Sequence, residues 1–211
     1  MKVNNYPLKT PSAGDKLFGS DSNGDQKQFD MTAFISDVFQ YEIGEYVEDE
    51  GGVIFHRYLD GNTQNYLVVS ITDQSTGQAW SNIDNVEIGL SAQSTWDGLS
   101  NSNAIVGQSG FTDGAALTCL NYSVGSIDDW YLPAIDELNL LWQNRFNINR
   151  TLSGNSSYGA ISGAVQIEYN NYWSSTESDS VDAYSSNFSN GYNFTLKSDS
   201  YYVRAVRKFS I

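Results

Sequence analysis

The chain has 211 residues, 11 basic against 25 acidic side chains for a formal charge of −14, and 14% aromatic residues. That length suits one main domain with a small appendage, and the aromatic content is enough for a core without disulfide staples. The charge repels phosphate backbones and anionic membranes, which argues against nucleic acid as a partner, and no apolar run reaches the roughly 18 residues of a membrane-spanning helix, so no membrane insertion is expected.

Residues 1–50 read as an N-terminal attachment and oligomerisation segment. Tyr6-Pro7-Leu8-Lys9-Thr10-Pro11 holds two of the three prolines, which favours an extended arm. Met1 to Pro7 shows no apolar stretch, so no signal peptide is expected. Asp21-Ser22-Asn23-Gly24-Asp25 is a turn cluster; its glycine and its twelfth position do not fit a calcium loop. Asp30 is placed to cap a short helix with Phe34, Ile35, Val38 and Phe39 on one side. Such a helix is too short to stand alone, so those four residues are expected to pack on the main domain or on other subunits.

Residues 51–211 read as a recognition domain. Gly52 to Phe55 and Tyr66 to Ile71 are β-branched and aromatic, and Asp60-Gly61-Asn62 turns between them, which predicts two strands. The stretch from Ile88 to Tyr122 is rich in small residues and partly helical, most clearly from Ala115 to Leu120. After Trp130-Tyr131-Leu132-Pro133 a long helix begins, with Pro133 expected at its first position and Asp136 and Glu137 in its first turn. Ile135, Leu138, Leu141 and Trp142 fall on one face, and Arg145 follows late. Beyond residue 160 short strands take over, at Ala183 to Phe188, Tyr192 to Leu196 and Tyr201 to Phe209. Helices first and antiparallel strands later make the fold class α+β, with two main helices.

Chemistry is sparse. Cys119, the single cysteine, lies in an apolar helical run and forms no disulfide within the chain. His56, the single histidine, sits in a predicted strand, and no G-x-S-x-G elbow is present. One His and one Cys do not make a zinc site, so no metal, cofactor or catalytic residue is expected.

Four segments in order carry a recognisable pattern: Gly51-Gly52-Val53-Ile54-Phe55; Asp129-Trp130-Tyr131-Leu132-Pro133 with Glu137-Leu138; Tyr172-Trp173-Ser174-Ser175-Thr176-Glu177; and Val203-Arg204-Ala205-Val206-Arg207. The set resembles the C-terminal domain of the bacterial collagen-like adhesin (Lcl-type). The resemblance implies a C-type-lectin-like fold of the formylglycine-generating-enzyme branch. Those enzymes use a pair of cysteines, which this chain lacks. Pro7 to Thr10 and Gly14 to Asp21 look like the opening of phage fibre proteins.

Trp130, Pro133, Glu137, Trp173, Glu177, Arg204 and Arg207 are read as scaffold. Buried arginines need carboxylates, and Glu137 and Glu177 are the expected partners. The ligand-binding surface is placed at Tyr169, Asn171, Tyr172, Asp182, Tyr184, Asn187, Asn190, Tyr192 and Tyr201, a tyrosine-and-amide set of the kind that recognition loops use. Together these features predict a non-catalytic phage virion protein, a homotrimer joined to other virion proteins through residues 1–50 and binding a host-surface glycan or protein. The alternative is a bacterial cell-surface adhesin.

Overall fold

The structure, a computed structural model, describes residues 16–20, 23–30 and 39–211. The chain falls into two compact units, Met1–Gln40 and Tyr41–Ile211.

In the first unit, strands β1 (Lys16–Ser20) and β2 (Gln26–Asp30) pair antiparallel, from Lys16 opposite Asp30 to Ser20 opposite Gln26. Gly24, inside the predicted turn cluster, takes φ 83°, where a residue without Cβ is unstrained. Asp30 ends β2. Phe34, Ile35 and Val38 lie outside the described residues, and Phe39 is half-buried.

The second unit holds two sheets. The four-stranded sheet has the order β11-β5-β4-β3, from β3 (Tyr46–Val47), β4 (Gly52–Asp60), β5 (Thr63–Ser70) and β11 (Val206–Ser210), all antiparallel. Residues 41–50, assigned from sequence to the N-terminal segment, belong to this unit, since Tyr46 and Val47 pair with Val53 and Gly52. Gly52 is required there: a Cβ would lie 2.2 Å from the Val69 carbonyl oxygen. The five-stranded sheet has the order β6-β10-β7-β8-β9, from β6 (Ser75–Gln78), β7 (Asn171–Glu177), β8 (Asp182–Asn187), β9 (Gly191–Leu196) and β10 (Tyr201–Val203). β10 joins β7 in parallel and β6 antiparallel.

Three α-helices, one more than the two expected, occur among the described residues: α1 (Gly98–Val106), α2 (Ala115–Leu120) and α3 (Ile135–Leu152). α3 begins two residues later than the proline suggests. Pro133 precedes the cap residue Ala134, whose N–H donates to Glu137 Oε2 at 2.8 Å, while the Ile135 N–H donates to Thr176 Oγ1 at 3.0 Å. Two of the free amide groups at the helix start are thereby satisfied by side chains. The face carrying Leu138, Leu141, Ile148 and Leu152 packs with Val53, Phe55, Leu67 and Val69 of the four-stranded sheet, and Tyr172 and Phe188 complete that core.

A bulge in the four-stranded sheet decides which side chains share its rows. The β4–β5 register slips between Ile54 and His56, so Phe55 is an extra residue and His56 faces Leu67. Residues directly opposite share a sheet face. Val53, Val69 and Val206 form one core row, and His56, Leu67 and Lys208 the next, with Tyr58 beyond. Without that bulge Phe55, not His56, would sit opposite Leu67 on this face.

Candidate functional site

The residues read as scaffold are all buried: Trp130, Pro133, Glu137, Trp173, Glu177, Arg204 and Arg207. The expected ion pairs are corrected. Arg204 pairs with Asp73 (Nη1 to Oδ1, 3.0 Å) and also donates to the carbonyls of Ser70 and Val165. Arg207 pairs with Asp129, Nη2 to Oδ2 at 2.9 Å, and with Glu50. Glu177 instead takes Lys197, at 2.7 Å with both side chains fully buried, together with the N–H groups of Ile88 and Gly89. Glu137 has no basic partner among the described residues; it accepts from the Tyr131 hydroxyl and the Ala134 N–H, both at 2.8 Å, and burial pushes its carboxyl up to about 7. Trp80, which no sequence motif singles out, is a third central indole, donating to the Ser174 carbonyl at 2.8 Å beside the Lys197 ammonium.

The predicted ligand surface does not form one patch. Tyr172 is not on it: a central strand of the five-stranded sheet buries it completely, against Phe188 and Tyr202. Asn171 and Asn187 meet across β7 and β8 at 2.8 Å, with the half-buried Tyr201 beside them, its ring 4.7 Å from that of Trp173. Asp182 and Tyr184 are half-buried further along β8, and Asn190 is exposed in the β8–β9 turn. Tyr192 lies on β9, with its side chain outside the described residues. Tyr169 is 70% exposed and lines a cleft.

That cleft, about 480 Å³, lies between the C-terminal half of α3 and residues 166–169. Asn149 fixes its second wall to the helix, accepting from the Ile167 N–H at 2.7 Å and donating to the Ile167 carbonyl at 2.9 Å. Phe146, 76% exposed, faces it alongside Tyr169, and Arg145 and Arg150 flank them. Arg145 is held over the Trp142 ring, 4.4 Å from its centroid, and donates to the Trp142 carbonyl. Among the described residues neither arginine has an ion pair, whereas Arg57, Lys197, Arg204 and Arg207 all do. In a chain of charge −14, the cleft thus places two cations against the single carboxylate of Glu168, beside two exposed rings. Such a surface stacks planar or apolar ring faces and pairs with carboxylate or similar anions. A partial structural reason for Arg150 is also present, since a cation in the last turn suits the helix dipole.

Comparison with known families decides the kinship. The sequence model described as the Lcl C-terminal domain matches residues 69–207. This chain belongs to the Lcl C-terminal domain family. The match takes in three of the four segments that carried the resemblance, and begins after the fourth, Gly51 to Phe55. Within the Lcl C-terminal domain fall both walls of the cleft, Arg145 to Arg150 and Gln166 to Tyr169. No curated protein matches the chain. Family membership makes the chain an adhesin-like module of surface-exposed type, and no helix among the described residues is long and apolar enough to cross a membrane.

Proposed function

We propose that the protein is a non-catalytic recognition module with a C-type-lectin-like fold, displayed on a phage virion, that grips a host-surface carbohydrate in the cleft between α3 and residues 166–169. The observation that carries the reading is the pairing of Phe146 and Tyr169, both largely exposed, with two arginines that form no ion pair among the described residues. Rings stack on the apolar face of a sugar, and each arginine offers a planar fork to an anionic substituent. Asn and Gln at the rim add adaptable hydrogen bonds. A non-catalytic role is supported by Cys119, which is fully buried with its thiol pushed far up by that burial, and so is not poised as a nucleophile.

The virion setting is supported by the fibre-like opening of the sequence and by a first unit that forms a compact body of its own. Display on a bacterial surface is the second reading, favoured by the adhesin kinship. Either way the test of the site is the same. The full chain is screened against an array of bacterial surface glycans, and Phe146→Ala and Tyr169→Ala are compared with wild type on whatever it retains. Each variant should weaken binding by roughly five- to thirty-fold, in line with losing one stacked ring at about 1–2 kcal/mol. Retained glycan binding with both variants unaffected would remove the cleft from the proposal.

A further inference from the structure

A second cleft, about 490 Å³, opens at the other end of α3. Its floor is the second row of the four-stranded sheet, His56, Leu67 and Lys208, which the bulge at Phe55 brings to this face. Its walls are Trp96, Tyr58 and Leu99. Trp96 is 73% exposed and Leu99 43%, although each is large and apolar. His56 and Tyr58 stack with ring centroids 6.0 Å apart, and burial holds the imidazole below its ordinary range, so at neutral pH it is an uncharged ring. At the rim the Lys208 ammonium already lies over the Tyr58 ring, 5.2 Å from its centroid. Three carboxyl groups, Asp97, Asp136 and Glu137, line the same cleft against that one lysine.

From this geometry we infer that the α1–α3 cleft is a binding site for an alkylated ammonium group, a quaternary amine on a short stem. Aromatic faces attract a cation through the ring quadrupole, most strongly tryptophan, and need no hydrogen-bond donor from it. Leucine side chains suit the methyl shell that such a cation carries, and the carboxylates of Asp97 and Asp136 supply the opposing charge. Lys208 over Tyr58 shows one of these rings already presenting its face to an ammonium. The inference is independent of the carbohydrate site, which lies at the opposite half of α3 and has the opposite charge.

The test is titration of the full chain with choline, followed by two-dimensional NMR of the indole N–H signals. The neutral isostere 3,3-dimethylbutan-1-ol is titrated in parallel. Choline should move the Trp96 signal and bind at least ten-fold tighter than the alcohol. Trp96→Ala, at an exposed position that should leave the melting temperature unchanged, should lose choline binding by ten-fold or more, and Phe146→Ala should retain it. Equal affinity for the alcohol would overturn the inference in favour of an apolar slot with no preference for cations. Absence of any shift at 50 mM ligand, on the order of the weakest useful affinity, would overturn it outright.

Discussion

Glu137 occupies the junction between the start of α3 and the start of α1, and its surroundings explain its protonation. Burial raises its carboxyl to about 7, with the Ala134 N–H and the Tyr131 hydroxyl opposing that rise. An acid whose folded-state value exceeds its unfolded one, ordinarily about 4.3, holds an extra proton in the folded state. The stabilisation is full below the unfolded value and is lost as pH rises through about 7. Comparing wild type with Glu137→Gln by denaturant titration from pH 4 to 8 should reveal a slope confined to that window, on the order of 4 kcal/mol in total. A flat difference would mean that folding leaves the carboxyl at its unfolded value. A second residue-scale expectation concerns Lys197. Replacing it by Met leaves Glu177 charged and buried, with only backbone N–H groups to face, and should cost about 3–5 kcal/mol in the same measurement. Burial of Trp130 and Trp173, of Glu137 and of both arginines was legible in the sequence from their motif positions. Their partners were not: Arg204 reaches Asp73 and Arg207 reaches Glu50 across 131 and 157 positions, and no local pattern singles out those carboxylates among 25 acidic residues.

At the scale of elements, α3 was the most readable part of the chain, because its apolar spacing declares which side packs inward. The same phase puts Phe146 outward, a position that attention to core residues passes over. The strand bulge was invisible in advance, since nothing in Gly52 to Tyr58 announces the extra residue, yet it decides which ring enters the second cleft. Tyr172 was misplaced for a related reason. Composition marks tyrosine as a contact residue, but β7 is covered on both faces, and only topology reveals that. Close approach of α1 to α3 has a sequence cause, Gly98, where a Cβ would fall 2.5 Å from Glu137 Oε2 and 2.6 Å from the Ala134 nitrogen. Gly98→Ala should therefore destabilise the domain by about 1–3 kcal/mol, visible as a lowered midpoint in chemical unfolding, while Gly61→Ala, with open space around it, should do so only through its backbone conformation.

For the whole molecule, the division at Gln40 and Tyr41 makes a direct prediction. A chain of residues 41–211 should keep the cooperative unfolding of the larger unit, because its core residues all come from within that span. Light scattering on the full chain should give the mass of a trimer if the first unit assembles the proposed virion form, and the shortened chain should be monomeric. Equal masses for the two would move the assembly contact into the larger unit. The four-stranded sheet has a further consequence. Its β11 edge pairs with β5, Val206 opposite Val69 and Ser210 opposite Asn65, and the Ile211 amide and carbonyl both bond to Gln64. On a translating ribosome the partner strand emerges long before that edge does. Native closure must await the emergence of β11, and until then the nascent chain exposes Val69 and Leu67 to chaperones or to neighbouring nascent chains.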